Sequence, residues 1–148
     1  MGNICRSPTA QGVFEHTLAG SALADKVDVD SAGTHAYHVG EPPYPKSQSA
    51  ARKRGIDLST QRARQVTEED FEAFDLILAM DLNNFSSLRS RCPAPLRDRI
   101  RLFLTYIDDS NVLNVPDPYY GDDQSFETVL DLTEAASRGL RDRLLAEI

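Results

Sequence analysis

Two stretches of this chain carry residue types that handle phosphate. The first, Gly2-Asn3-Ile4-Cys5-Arg6-Ser7-Pro8, is a tight polar segment that runs straight into an amphipathic repeat. Ser7 is expected to cap a helix whose first position is Pro8, with Ala10, Val13, Phe14, Thr17 and Leu18 recurring at helical spacing. The unpaired amides and positive dipole end of such a helix favour an anion, and the planar fork of Arg6 matches two phosphate oxygens. Gly2 would let a ligand approach the backbone closely. Taken alone, the segment reads more simply as a capped helix with a surface arginine. The second stretch, Asp117-Pro118-Tyr119-Tyr120-Gly121, sets a carboxylic acid beside two phenol rings. By itself Asp117 would be a turn residue before proline, and the tyrosines would be packing groups.

The elements that must position these residues alternate between helix and strand. Residues 26–31 alternate apolar and polar and read as a strand ending at Ala32-Gly33-Thr34. Residues 34–45 form a long loop rich in Gly, Pro, Tyr and His, of a length that often carries function. His35 and His38 lie in it, but no cysteine or further histidine accompanies them, so no metal site is expected. Residues 47–54 should be a helix stopped by Gly55, and Thr67-Glu68-Glu69-Asp70 a capped helical turn. The basic residues Arg52, Lys53, Arg54, Arg62 and Arg64 read as a solvated surface.

Residues 75–80 are an apolar run of strand length, which suggests burial on both faces as in a parallel sheet. A helix is expected over residues 82–90, a rigid break at Cys92-Pro93-Ala94-Pro95, and a strand over residues 100–107. A polar loop then leads to the Asp117 motif. An amphipathic helix from about Ser125 closes the chain, its apolar face including Phe126, Val129, Leu130, Leu140 and Leu144. Alternating strands and helices argue for one α/β domain over residues 1–148 with a mainly parallel sheet.

Composition limits the partners. The 148 residues carry a formal net charge of −7, so nucleic acid is repelled by the molecule as a whole and any phosphate site must be local. The two cysteines, Cys5 and Cys92, are too few for a disulfide framework and fit a reducing cytoplasm. Nowhere do eighteen apolar residues stand together, so no membrane span is expected.

The opening loop paired with the distant Asp117-Pro118-Tyr119-Tyr120-Gly121 resembles the low-molecular-weight protein tyrosine phosphatase family. The likeness continues through residues 30–34, 39–43, 52–56, 63–65 and 74–81, and so covers essentially the whole chain. It implies a three-layer α/β domain with a four-stranded, mainly parallel sheet. By resemblance Arg6 is the arginine of a phosphate loop of the form Cys, five residues, Arg. Gly2, Asn3, Ile4 and Cys5 are its cradle, Ser7 steadies the nucleophile, Ser31 bonds Asn3, and Asp117 is the general acid. Tyr37, Tyr119 and Tyr120 would grip an aromatic substrate, either a phosphotyrosine protein or a small aryl phosphate. The implied chemistry runs through a phosphocysteine and needs no metal or cofactor. The family further implies a cytoplasmic monomer or weak homodimer.

The family's nucleophilic cysteine would fall immediately before Met1, and the strand leading to it would lie upstream. Cys5 matches the second cysteine of the family's loop, which has a reversible redox role there. The N-terminal strand and nucleophile are therefore expected outside the chain as given. Three explanations stand: a start at an internal methionine, which is the favoured one, a shortened relative that binds without hydrolysing, or a strand supplied by a partner chain. Removal of that strand would leave its neighbours about 10 Å apart with unpaired edges. Tyr44 and Lys46 depart from an acidic residue and an arginine common in the family. An arsenate reductase of the same fold is a further alternative, although only Cys92 lies downstream of the loop.

Overall fold

The computed structural model describes residues 2–107 and 112–147. Helix α1 (Arg6–Leu18) begins ahead of the predicted position, with Cys5 rather than Ser7 at its N-cap and no side-chain cap bond. The Ser7 hydroxyl is not free for capping, because it accepts a hydrogen bond from Asn3 Nδ2 at 2.8 Å. Gly12 allows α1 to lie against the segment after the next helix, since a Cβ there would stand 2.3 Å from Leu58 Cδ2. Helix α2 (Pro45–Arg52) is followed by a turn through Gly55, whose φ of 81° is a conformation that only glycine adopts without strain. Helix α3 (Glu68–Ala73) opens with the predicted capping box between Thr67 and Asp70.

Strand β1 (Ile77–Ala79) pairs in parallel with β2 (Ile100–Leu102), Ile77 opposite Ile100 and Ala79 opposite Leu102. Between them runs α4 (Leu82–Arg91), capped by Asp81, followed by a 3-10 turn at Ala94–Arg99. The strand predicted over residues 100–107 ends at Leu102 and becomes a 3-10 turn, Phe103–Tyr106. Phe103 and Leu104 are consecutive and both buried, whereas a strand sends successive side chains to opposite faces. The turn also brings Tyr106 O against α5 (Asp123–Ala146) at Gly139, where a Cβ would be 1.8 Å from that oxygen. Residues 108–111 of the expected polar loop lie outside the described residues.

The α/β class therefore holds, while the described sheet has two strands where four were implied, with one further parallel bridge between Gly33 and Gln65. Residues 27–30 carry no assigned secondary structure but alternate half-buried Val27 and Val29 with exposed Asp28 and Asp30, the burial pattern of a strand. Among the described residues, no main-chain hydrogen bond to residues 27–30 is formed, so they join no ladder. The apolar run of residues 76–78 is likewise only half-buried.

Helices α1, α2 and α5 pack on one side of the sheet and α3 and α4 on the other, giving three layers. Phe14, Leu23, Phe103, Leu104, Val129 and Leu140 form the main core between α1 and α5. Ile4, Cys5, Val13, Leu58, Phe126 and Leu130 form a second cluster beneath the opening loop. Phe71, Ala79, Leu88, Cys92 and Ile100 form a third on the opposite face. Among the described residues no helix is long and apolar enough to cross a membrane.

Candidate active site

The opening loop is shaped by Asn3, whose φ of 63° is left-handed, a rare conformation for a residue with a Cβ. Three side-chain bonds hold it there. Asn3 Nδ2 donates to Ser7 Oγ and to Ser31 Oγ at 2.8 and 3.0 Å, and Asn3 Oδ1 accepts from the Arg64 amide at 3.1 Å. Ser31 Oγ in turn donates to Gln11 Oε1 at 2.7 Å, which ties the loop to α1. Asn3 is only 4% exposed, so these bonds satisfy a polar group that burial would otherwise penalise. Gly2 is also packed closely against the long loop. A Cβ there would lie 2.6 Å from His38 Cδ2, so Gly2 makes room for the histidine ring.

Arg6 is 5% exposed and is held at one end of its guanidinium. Its Nη1 donates to Asp81 Oδ2 at 2.7 Å and to the Val115 carbonyl at 2.8 Å. Among the described residues Nε and Nη2 have no hydrogen-bond partner, yet neither is a buried orphan, and the residue lines an open cleft. Two donors in a fixed fork thus remain available to an anion, which is the arrangement that binds two phosphate oxygens. Asp81 also caps α4, its Oδ1 accepting from the Asn84 amide at 2.7 Å. Burial alone would raise the pKa of its carboxyl, but the Asn84 amide and the Arg6 guanidinium outweigh burial and hold it below the usual carboxylate range.

Cys5 is buried, and burial pushes its thiol up to about 11, with a partial offset from the Ser47 hydroxyl. At pH 7 such a thiol is ionised to about one part in ten thousand, which makes it a poor nucleophile. Cys92 lies in the third apolar cluster on the far face of the sheet, and its Sγ donates to Pro93 O at 3.4 Å.

Every residue expected at the site lines one cleft of about 1200 Å³: Gly2, Asn3, Ile4, Cys5, Arg6, Ser7, Ser31, Tyr37, Asp117, Tyr119 and Tyr120. Asp117 is exposed at its edge, with Oδ1 accepting from the Tyr119 amide at 3.1 Å. Tyr119 is half-buried between Tyr44, at 4.9 Å between ring centres, and Tyr120, at 4.8 Å in an edge-on contact. Tyr120 is 96% exposed and Tyr37, stacked on His35, is 72% exposed, so both stand at the rim. Among the described residues no group of three His, Cys, Asp or Glu is placed to hold a metal.

Sequence reasoning missed Asp81, Gln11, Arg64 and His38. Asp81 carried a readable signal, since it directly follows the apolar run of β1 and ligand-binding residues gather beyond the carboxyl ends of parallel strands. His38 bonds Glu41 through Nδ1 at 2.5 Å and sits over the opening loop beside Tyr119, 6.2 Å between ring centres. Gln11 and Arg64 gave no local sign, because their partners lie 20 and 61 residues away.

A three-layer α/β domain with a half-engaged arginine behind a left-handed loop, and with an acid and phenol rings at the rim, defines a phosphate-handling protein. Comparison with known families makes the class definite. The family model for low molecular weight phosphotyrosine protein phosphatase matches residues 1–148, and the chain belongs to that family. It is 40% identical to the low molecular weight protein-tyrosine-phosphatase YfkJ of Bacillus subtilis, over all of this chain and 91% of that one. It is 42% identical to the human low molecular weight phosphotyrosine protein phosphatase, over 87% of this chain and 82% of the human one. A crystal structure of protein tyrosine phosphatase from Entamoeba histolytica, with Hepes in its active site, superposes with a TM-score of 0.95 at 35% identity, over 99% of this chain and 94% of that one.

Proposed function

We propose that this phosphatase hydrolyses aryl phosphate monoesters of the phosphotyrosine type through a phosphocysteine, and that residues 1–148 act as one cytoplasmic domain. The observation that carries the reading is the half-engaged Arg6, which keeps Nε and Nη2 free toward the same cleft that holds Asp117 and Tyr119. In the proposed reaction Arg6 and the loop amides hold the phosphoryl oxygens and stabilise the charge that develops on them. The step is conditional on a cysteine just upstream of Met1: its thiolate attacks phosphorus as the bond to the phenolic oxygen breaks, and Asp117 gives its proton to that leaving oxygen. Water then attacks phosphorus, Asp117 takes its proton, and the thiolate departs. Cys5 does not serve as the nucleophile, since it is buried, poorly ionised and adjacent to Arg6.

Tyr37, Tyr119 and Tyr120 are assigned to the walls that receive the aromatic ring, and Ser7, Ser31 and Asn3 to the support of the loop. The specific support for the ring pocket is the run of contacts from Tyr44 through Tyr119 to Tyr120. The separation of Cys92 from Cys5 in different apolar clusters gives no support to a cysteine relay for arsenate reduction.

A second reading, phosphate binding without hydrolysis, shares the Arg6 observation and needs no nucleophile. Turnover of p-nitrophenyl phosphate is measured for the chain as given and for a chain extended upstream by an apolar run ending in cysteine. Hydrolysis by the extended chain, lost in Asp117→Asn, supports the proposal. No turnover by either chain, together with heat of phosphate binding abolished by Arg6→Ala, supports the binding reading.

A further inference from the structure

Of the three tyrosines assigned to the ring pocket, Tyr119 alone is half-buried, so its orientation sets the wall that an aromatic substrate meets. Three rings approach it: Tyr120 edge-on at 4.8 Å, Tyr44 at 4.9 Å with the planes inclined by 46°, and His38 at 6.2 Å inclined by 35°. Two of these are poor anchors. Tyr120 is 96% exposed, and His38 is flanked by the exposed Tyr37 and Val39 and bonds the exposed carboxylate of Glu41.

Tyr44 is fixed through its backbone and through its ring. Its amide donates to the Ile4 carbonyl of the opening loop at 2.8 Å, and as the N-cap of α2 its carbonyl accepts from the Gln48 amide at 3.0 Å. Pro45 follows at the first helical position with its φ locked. The ring stacks on Phe126 of α5, with centres 6.0 Å apart and planes within 11°, and Phe126 is 3% exposed. A line of rings therefore runs from the core to the cleft, Phe126 to Tyr44 to Tyr119. Tyr44 itself does not line the cleft; it lines a smaller hollow of about 300 Å³ that shares Tyr119 as a wall.

We infer that Tyr44 is a positioning residue that determines specificity: it fixes the ring of Tyr119 and so makes the pocket select phosphate carried on an aromatic ring over phosphate without one. The acidic residue common in the family at this position cannot do this. A carboxylate has no ring face to set against Tyr119, and beside Phe126 it loses water without gaining a partner. An aromatic pair at this separation favours its arrangement by about fivefold, which is the size of effect expected. The inference rests on the assignment of Tyr119 to the ring pocket, and its test involves no turnover.

Calorimetry measures the affinities of the chain as given, of Tyr44→Phe and of Tyr44→Asp for phenylphosphonate and for inorganic phosphate. The readout is the ratio of the two affinities, which a general loosening of the loop does not move. Tyr44→Asp is expected to lower the preference for phenylphosphonate about fivefold while inorganic phosphate binds as before, and Tyr44→Phe to keep the preference. An unchanged ratio in Tyr44→Asp overturns the inference and leaves the phosphatase reading standing. Equal weakening of both ligands also overturns it, because that outcome reports only the support of the loop through Ile4. Loss of the preference in Tyr44→Phe overturns it as well, since the hydroxyl rather than the ring is then the active part. No preference for phenylphosphonate in the unsubstituted chain removes the ring pocket itself, and the inference falls together with that part of the proposed function.

Discussion

Replacing Asp81 by asparagine removes one negative charge and almost no volume, and it isolates the anchor of Arg6. Asparagine caps helices about as well as aspartate, so the bond to the Asn84 amide survives. What is lost is the charge opposite Arg6, whose Nη1 stands 2.7 Å from Asp81 Oδ2 with side-chain exposures of 5% and 18%. Truncating one partner of a buried pair costs about 3–5 kcal/mol, and a hydrogen bond to a charged group contributes about 1.5–3 kcal/mol. The substituted amide would keep a neutral acceptor, so the expected loss is about 2 kcal/mol, close to a thirtyfold change in the unfolding equilibrium. Because the folded state holds the Asp81 carboxyl below its ordinary value, its contribution is fully present above the unfolded pKa of about 3.9 and fades as pH falls through the folded value. Urea unfolding of both proteins at pH 7 and at stepwise lower pH measures the gap. A gap under about 0.5 kcal/mol at pH 7, or one that does not narrow below about pH 4, refutes the assignment of Asp81 as the ionic anchor of Arg6.

Other outcomes follow from the same geometry. Asn3→Ala leaves Ser7, Ser31 and the Arg64 amide without their shared partner and keeps a Cβ at φ 63°, so it should cost about 2–3 kcal/mol in urea unfolding, with Asn3→Gly costing less because the backbone strain is relieved. Cys5 should react slowly with iodoacetamide at pH 7 and faster as pH rises toward about 11, read by mass spectrometry of the folded protein; rapid labelling at pH 7 would contradict its burial. Gly139→Ala puts a methyl group where Tyr106 O lies 1.8 Å away, and thermal unfolding should show a loss of about 3 kcal/mol or more. Arg6→Lys keeps the charge but not the planar fork, so calorimetry should show weaker phosphate binding even where Asp81 remains paired.

The sequence by itself determined what local chemistry can encode. The capping box of Thr67 and Asp70 needs only residues three apart, and Gly55 stops α2 through its own φ. The loop and the Asp117 motif were legible as a pair, because the pairing of two short motifs is specific even when each alone is weak. The start of α1 was misplaced by reading Ser7 as a cap, since nothing local shows that its hydroxyl is already engaged by Asn3. The strand expected at residues 26–31 shows the right alternation of burial, yet pairing depends on a neighbour that no short window contains.

Tertiary structure decided how the site works. Arg6 meets Asp81 and Val115 across 75 and 109 residues, so whether its guanidinium is free, buried or half-engaged is not a property of the opening segment. The high pKa of Cys5 arises from burial among residues of α2 and α5, and the same thiol in an unfolded chain would ionise in the ordinary range. Residue types fix which interactions are possible, and the fold selects among them by deciding which groups lose water and which partners replace it.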